Sequence, residues 1–178
     1  MLTVGKPIGG GVPAGAFGMT REVAEKAFAQ PDADYVDTGG IGGTLAGNAL
    51  SLAAMRAALT RVLTEESYAR TIPLAERFEE GVREAIEQHE APWHVTRLGS
   101  RVEYAFTPER PRTGGEAEAA HDDELESLLH LYALIRGVLM TPFHNMALMG
   151  PTTTEEQVDL HTTVFSEALQ ELYDRPGA

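Results

Sequence analysis

A glycine-rich stretch near the amino terminus constrains this chain more than any other feature of its sequence. A single lysine, Lys6, is followed at once by Pro7 and then by the glycines 9–11. Proline fixes φ at about −65°, whereas glycine adopts positive φ without steric cost, so the stretch predicts a stiff turn that a flat ligand can approach closely. Lysine amines act as nucleophiles toward carbonyl compounds when they are desolvated. Lys6 is therefore the candidate catalytic residue, and the alternative is an ordinary surface lysine before a loop.

A phosphate-binding loop of the nucleotide-hydrolase type is a second interpretation of the same glycines. That motif requires glycine, four residues, glycine, lysine, and then serine or threonine. In this chain Lys6 precedes the glycines, so the order fails. We set this interpretation aside.

The charge of the chain excludes several classes of partner. Its 178 residues include 27 acidic and 14 basic side chains, a formal net charge of −13. Nucleic acids and anionic membranes are bound through basic patches, so we expect neither as a partner. No apolar run reaches the ~20 residues of a membrane span, and the start of the chain lacks the layout of a secretory signal. We therefore expect a cytoplasmic protein.

Residues that bind metals or form disulfides are sparse. The sequence has no cysteine, which excludes disulfides and thiolate chemistry. Its six histidines lack a paired ligand spacing such as two histidines four residues apart around a glutamate. We therefore expect no metal site.

Hydrophobic periodicity predicts strands and helices in alternation. The predicted helices are 22–29, 49–63, 65–89, 122–136 and Thr154 to about Tyr173, with Pro73 bending or dividing the third. The predicted strands are 1–4, 12–19 (or an extended segment), 93–96, 101–106 and 138–140. Residues 32–43 and 107–120 are predicted loops, the second a mobile surface excursion. The apolar run at 1–4 leads straight into Lys6 with nothing before it to pair against, so we expect the chain to begin inside a domain.

A second glycine-rich segment, residues 39–47, ends at the predicted start of a long helix and contains Gly43 and Thr44. Free backbone N–H groups at a helix start, together with a threonine hydroxyl, suit a phosphate group. The alternative is that these glycines serve only the conformation of the cap.

The segments 4–18 around Lys6 and 43–49 around Thr44, in this order, resemble the pyridoxal-phosphate-dependent class III aminotransferases, and within them the glutamate-1-semialdehyde aminomutase-like branch. The resemblance covers essentially the whole chain but only the second half of a full-length member. It implies an α/β fold, the carboxy-terminal half of a fold-type I transferase. Residues 1–63 would form the end of the large cofactor-binding domain and 64–178 a small α+β carboxy-terminal domain.

The resemblance assigns roles to particular residues. It implies that Lys6 forms a Schiff base with pyridoxal 5'-phosphate and moves the proton between substrate and cofactor. Gly43 and Thr44 match the family segment that binds the cofactor phosphate of the neighbouring subunit, which implies a homodimer with a shared active site. Ala46 and Ala49 stand where the family has serine and proline, which keeps the Thr44 hydroxyl but alters the rigidity of the loop.

Arg101 is the candidate for substrate binding. Amino and keto acids carry a carboxylate, and a guanidinium on a strand of the small domain could hold it through two hydrogen bonds. The alternative is an arginine on the outer face of a half-exposed strand. Arg136, His144 and Asn145 are weaker candidates of the same kind.

The implied function is transfer of an amino group between an amino acid or amine donor and a keto-acid or aldehyde acceptor, or the related 2,1-aminomutase reaction. In the family, the aspartate that pairs with the pyridinium nitrogen lies upstream of the lysine, so we expect the isolated chain to be inactive. An alternative of another class is a non-catalytic fragment that acts as a dimerisation or interaction module. A large exposed apolar patch would favour the partial enzyme over the module.

Overall fold

A computed structural model describes residues 1–29, 43–141 and 144–174. The chain divides into two compact units, Met1–Glu65 and Glu66–Ala178. The helices in these ranges are α1 (Arg21–Phe28), α2 (Ala49–Arg61), α3 (Glu65–Gln88), α4 (Gly114–Ala119), α5 (Asp123–Leu134) and α6 (Glu155–Tyr173). The strands are β1 (Leu2–Gly5), β2 (Gly15–Gly18), β3 (His94–Leu98), β4 (Arg101–Ala105) and β5 (Met146–Leu148). The chain is thus of the α/β class, as the sequence predicts.

The first unit begins with a β-hairpin. β1 pairs antiparallel with β2, with Leu2 opposite Gly18 and Gly5 opposite Gly15. A short 3₁₀ helix, Lys6–Gly9, follows β1 directly, and two positive-φ glycines after it reverse the chain. Strand β1 therefore pairs with the segment that follows it. Most of the predicted loop 32–43 lies outside the described residues.

Helix α2 packs on the 3₁₀ helix through small residues. Ala58 is buried, and a Cβ at Gly10 would lie 3.8 Å from the Ala58 Cβ. The helical spacing of Leu52, Met55, Leu59 and Leu63 predicts this helix, and within it Leu52 and Leu59 are about half exposed.

The core of the second unit lies between α3, α6 and a three-stranded sheet. The sheet is antiparallel throughout, in the order β3, β4, β5. Val102 and Tyr104 alternate inward along β4 and are buried. The ring of Phe165 on α6 lies 4.8 Å from Tyr104 and 6.1 Å from Trp93, measured between centroids. These aromatic contacts join the last helix to the sheet.

Helix α3 runs unbroken through Pro73. Of the two effects predicted for Pro73, division of the helix is therefore wrong, and bending stays a prediction. A proline inside a helix costs ~3 kcal/mol, because it removes one hydrogen bond and crowds the preceding turn. The helix buries one face along its length, namely Thr71, Ala75, Phe78, Val82, Ala85 and Ile86, and this packing offsets that cost. Four-residue spacing predicts an apolar stripe of Leu74, Phe78, Val82 and Ile86, and the burial of the last three confirms it.

The final strand of the sheet lies where the sequence predicts a loop. Residues 138–140, the predicted strand, have no regular structure, and β5 comes six residues later in the range 146–148. Gly137 ends the preceding helix with φ 87°, as predicted, and Val138 N donates to Ala133 O at 2.9 Å. The chain therefore turns back on the end of α5 before it extends, and β5 takes its register from β4, with Ala147 opposite Val102.

The ends of the remaining helices follow ordinary capping chemistry. Thr154 begins α6 with a capping box, in which the Thr154 hydroxyl accepts from Gln157 N and the Gln157 side chain accepts from Thr154 N. The polar excursion 107–120 contains the short helix α4, whose cap is Thr113. In the described ranges, no helix has both the length and the apolar character needed to cross a bilayer.

Candidate functional site

Lys6 is the first residue of the 3₁₀ helix and adopts φ 48°. Glu90, with φ 50°, is the only other non-glycine residue of the described chain with positive φ. This conformation costs an L-residue roughly 1–2 kcal/mol, and such strain collects at functional sites. The side chain is exposed, and no described hydrogen bond or ion pair engages its amine. The amine is therefore available to a ligand.

Glycines behind Lys6 let the loop fold closely on itself. Gly9 is buried, and a Cβ there would lie 2.9 Å from the Ala14 Cβ, which is too close for any larger residue. Gly10 and Gly11 have φ of 58° and 96°. The lysine is thus carried by a compact turn whose conformation only glycine allows at several positions.

Gly43 and Thr44 lie in the turn that leads into α2, and both are exposed. Ala46 N donates to Gly43 O at 2.8 Å, which closes the turn. Asn48 then caps the helix, because its Oδ1 accepts from Ser51 N at 2.9 Å and its Nδ2 donates to Leu45 O at 2.9 Å. The predicted phosphate segment is therefore a capped helix start with an exposed hydroxyl beside it.

A hydrogen bond ties the two predicted motifs together. Ser51 Oγ, in the first turn of α2, donates to Pro13 O of the lysine loop at 2.9 Å. No described hydrogen bond joins Lys6 to Thr44 directly. The sequence analysis missed Ser51, since one serine in an alanine-rich helix carries no signal. The first unit nevertheless places both motifs on one connected scaffold.

Arg101 begins β4 in the second unit, and its guanidinium is already paired. Its Nη2 contacts Glu103 Oε2, and its Nε donates to Met146 Sδ at 2.8 Å. Arg101 also lines a cavity of about 570 Å³, together with His94, Glu103, His144 and Asn145. A guanidinium held by a carboxylate must exchange that partner before it binds a substrate carboxylate, so Arg101 stays a prediction.

The other arginine candidate has a structural environment. The guanidinium of Arg136 lies 3.4 Å above the centre of the Tyr132 ring and 3.5 Å from Glu167 Oε2. The Tyr132 hydroxyl in turn donates to Glu171 at 3.0 Å. Burial, and then the bond to Glu171, raise the pKa of Tyr132. Arg136 therefore joins α5 to α6.

A second cavity of about 420 Å³ is lined by His161, Phe78 and the segments 137–141 and 146–149. His161 is buried, its ring stacks on Phe78 at 4.2 Å between centroids, and its Nδ1 has no hydrogen-bond partner. Burial lowers the pKa of His161 to about 3, so the imidazole is neutral at physiological pH. The sequence analysis did not single out this histidine.

Comparison with known proteins shows which family this sequence matches. Residues 1–169 match the family model described as Aminotransferase class-III. A glutamate-1-semialdehyde 2,1-aminomutase of Bacillus cereus is 33% identical over 166 residues, which make up 92% of this chain and 36% of that protein.

Solved structures agree with this likeness. A glutamate-1-semialdehyde aminomutase from Pseudomonas aeruginosa PAO1 is 48% identical with a TM-score of 0.87, over 96% of this chain and 38% of that one. A structure from the same organism, with a lysine-to-alanine substitution and in complex with PMP, has a TM-score of 0.86. An omega-transaminase from Sphaerobacter thermophilus is 26% identical with a TM-score of 0.73. The chain thus spans well under half the length of these relatives.

Proposed function

Because the chain belongs to the class-III aminotransferase family, we propose that it supplies the cofactor-linked lysine and part of the phosphate site of an aminotransferase or aminomutase that uses pyridoxal phosphate. The observation that carries this proposal is Lys6, an exposed amine with no ion-pair or hydrogen-bond partner among the described residues, held at φ 48° on a glycine turn. A strained backbone at this lysine lowers the stability of the fold, and such strain is kept where the position of the side chain serves a function. Lys6 and its turn therefore fit pyridoxal phosphate.

Lys6, Gly43 and Thr44 are the residues of this chain that would hold the cofactor. Pyridoxal phosphate supplies an electron sink next to the reacting carbon of the substrate. The exposed Thr44 hydroxyl and the backbone N–H groups of its turn are donors of the kind that bind phosphate. The Asn48 cap keeps that turn at the start of α2.

Proton transfer is the second role that we assign to Lys6. Its Nζ would take the proton from the substrate carbon and return it at the position where the product needs it. Arginine cannot replace it, because a guanidinium stays protonated at every accessible pH. Transaminase and aminomutase chemistry both need this step, and they differ in whether a separate amino acceptor is consumed.

A homodimer with a shared site is part of the proposal. Large apolar side chains beside the Thr44 turn are exposed, including Leu45 at 78% and Leu50 at 71%. Such a surface favours burial against another polypeptide. By resemblance, that polypeptide is a second subunit whose cofactor phosphate binds Gly43 and Thr44. The substrates would be an amino acid or amine and a keto acid or aldehyde, with Arg101 as the carboxylate partner after it leaves Glu103.

The alternative function is a non-catalytic dimerisation or interaction module, against which the exposed leucines weigh, because a partial domain leaves a larger apolar patch. The two functions differ at Lys6, because a module needs no selective reactivity there. By resemblance, the aspartate that supports the pyridinium nitrogen is not among these residues. We therefore propose that catalysis requires a chain that includes that aspartate, and that this chain alone is inactive.

Selective labelling of Lys6 tests the proposal. The sequence has only two lysines, Lys6 and Lys26, and Lys26 pairs with Glu22 at 2.7 Å on the surface of α1. The chain is incubated with pyridoxal phosphate, reduced with borohydride, digested and mapped by mass spectrometry. We expect labelling at Lys6 to exceed labelling at Lys26 in the folded chain and to equal it in the denatured chain.

Two variants serve as controls for this experiment. Lys6→Ala should abolish the selective label, and Lys26→Ala should leave it unchanged. Equal labelling of both lysines in the folded chain would defeat the assignment of Lys6. That result would leave the module as the better account of the chain.

A further inference from the structure

The cavity of about 420 Å³ in the second unit is large enough for a small molecule. It is lined by Phe78 of α3, by α6 and the residues just before it, and by the segments 137–141 and 146–149. Small-molecule sites in proteins enclose roughly 300–1,000 Å³ and are mostly apolar. Every described lining residue belongs to the second unit, so this unit forms the cavity by itself.

His161 is the polar side chain that points to a ligand in this cavity. It lines the cavity, it is only 5% exposed, and its Nδ1 has no hydrogen-bond partner within the described chain. Its ring stacks on Phe78 with 4.2 Å between the centroids, which holds the plane of the imidazole. Buried polar groups are almost always hydrogen-bonded, because burial removes them from water. A ligand in the cavity that bonds to this imidazole therefore offsets part of the cost of its burial.

The lining of the cavity also limits the charge of that ligand. None of the described lining residues is an aspartate, glutamate, lysine or arginine. Burial keeps the imidazole of His161 neutral, because it lowers the pKa of this side chain to about 3. An ion in the cavity would lose its hydration and meet no opposite charge on the lining, so the lining favours an uncharged ligand.

The methionines of the cavity favour a particular shape of ligand. Met140, Met146 and Met149 all line it. Methionine side chains are flexible, and their sulfur atoms make favourable contacts with aromatic rings at about 5 Å. A flat aromatic ring therefore suits this lining better than an aliphatic chain of the same size.

We infer that this cavity binds a small uncharged aromatic alcohol of the phenol type, whose hydroxyl bonds to the imidazole of His161. A neutral imidazole has one donor and one acceptor nitrogen, and a hydroxyl group both donates and accepts, so the bond forms with either tautomer. A phenol has a pKa of about 10 and is uncharged at neutral pH. This inference does not depend on the chemistry proposed for Lys6.

Methyl NMR of the full 178-residue chain tests the inference, because its six methionines divide evenly. Three line the cavity, and the other three, Met1, Met19 and Met55, belong to the first unit. The chain is labelled with ¹³C-methyl methionine and titrated with p-cresol. Parallel titrations use toluene, which lacks the hydroxyl, and benzoate, which is charged.

We expect p-cresol to give saturable shifts of the three cavity methyl groups and to leave the other three unchanged. It should bind about fivefold more tightly than toluene, because one hydrogen bond is added. Benzoate should give no saturable shift, because the lining offers its carboxylate no opposite charge.

His161→Phe keeps a ring beside Phe78 and removes both ring nitrogens. It should lower the affinity for p-cresol to that for toluene and leave the affinity for toluene unchanged. His130→Phe is the matched control, because Nδ1 of His130 is also buried without a partner in the described chain, but His130 is not among the described lining residues. It should bind p-cresol as tightly as the unmodified chain.

Three results would overturn the inference. Equal affinity of the unmodified chain for p-cresol and toluene would do so whether or not His161→Phe folds, since no bond to the imidazole would then form. Shifts spread over all six methyl groups would mean non-specific binding. Shifts of the cavity methyl groups that depend on protein concentration without any probe would mean that a second copy of the chain occupies the cavity.

Discussion

Gly81 and Thr162 bring α3 and α6 into direct contact. A Cβ at position 81 would lie 2.6 Å from both Cγ2 and Oγ1 of Thr162 and 3.1 Å from its Cβ. The Thr162 hydroxyl donates to Val158 O at 3.2 Å, which restricts its rotation away from the contact. The two helices can therefore pack this closely only because residue 81 has no side chain.

Gly81→Ala should destabilise the second unit by about 1–2 kcal/mol, because overpacking outweighs the gain in helix propensity. Fluorescence of Trp93, the only tryptophan and a buried residue of this unit, reports its unfolding in urea. The double variant Gly81→Ala with Thr162→Ala should recover part of the loss. A control at the exposed neighbour, Glu80→Ala, should change little. A neutral or stabilising effect of Gly81→Ala alone would contradict the close contact.

The buried imidazole of His161 predicts a pH dependence of stability. Its pKa is about 3 in the folded chain and about 6.5 when unfolded, so the unfolded state binds the proton first as pH falls. The stability that depends on neutral His161 is fully present above pH 6.5 and declines as pH falls toward 3. The slope is about 1.4 kcal/mol per pH unit within that window.

His161→Phe keeps a ring beside Phe78 and removes the titration. Between pH 7 and pH 5, the unmodified chain should lose about 2 kcal/mol more stability than this variant, measured in urea by Trp93 fluorescence. Other titrating groups contribute equally to both proteins, so the difference isolates His161. Parallel pH profiles for the two proteins would mean that the imidazole is not buried as described.

The backbone of Lys6 predicts a conflict between stability and function. Glycine adopts φ 48° without strain, whereas alanine does not. Lys6→Gly should therefore stabilise the turn relative to Lys6→Ala by about 1 kcal/mol. Hydrogen exchange through local opening of the turn should then be about fivefold slower in Lys6→Gly than in Lys6→Ala. Hydrogen exchange of residues 1–20, followed by mass spectrometry, measures this effect. Both variants lose the reactive amine, so neither should show selective labelling. Equal exchange in the two variants would argue against positive φ at this position.

Thr44 provides a test of the phosphate site. Thr44→Val removes the exposed hydroxyl and keeps the shape of the side chain. We expect it to reduce pyridoxal phosphate labelling of Lys6 several-fold with little change in the melting temperature, because the turn is held by the Gly43 carbonyl and the Asn48 cap. Thr44→Ser should retain labelling. Parallel losses of labelling and melting temperature in Thr44→Val would make Thr44 a structural residue.

Long amphipathic helices were predictable from the sequence, and short elements were not. The apolar stripe of α3 and the Thr154 cap of α6 are local signals that tertiary structure reinforces. β5 has three residues, and its pairing with β4, rather than its own composition, makes it a strand. Leu52 and Leu59 have helical spacing, but their burial depends on what the neighbouring segment offers.

The candidate site was likewise predictable from the sequence only in part. Lys6 and its glycines are recognisable as a stiff turn, but positive φ at a lysine runs against local preference and follows only from the hairpin around it. The pairing of Arg101 with Glu103 follows from strand geometry, which sets residues two apart on the same face.

The contacts of Phe165 have a consequence for how the chain folds while the ribosome makes it. Its partners Trp93 and Tyr104 precede it by more than half the length of the unit, so these core contacts join distant parts of the chain. Folds of this kind close slowly, because a long loop must be ordered before the distant contacts form. On the ribosome, the hairpin β3–β4 would emerge with its aromatic face open and would stay open until α6 was made. The second unit would therefore complete its core only after α6 had been made, and chaperones that shield aromatic surfaces would act in that interval.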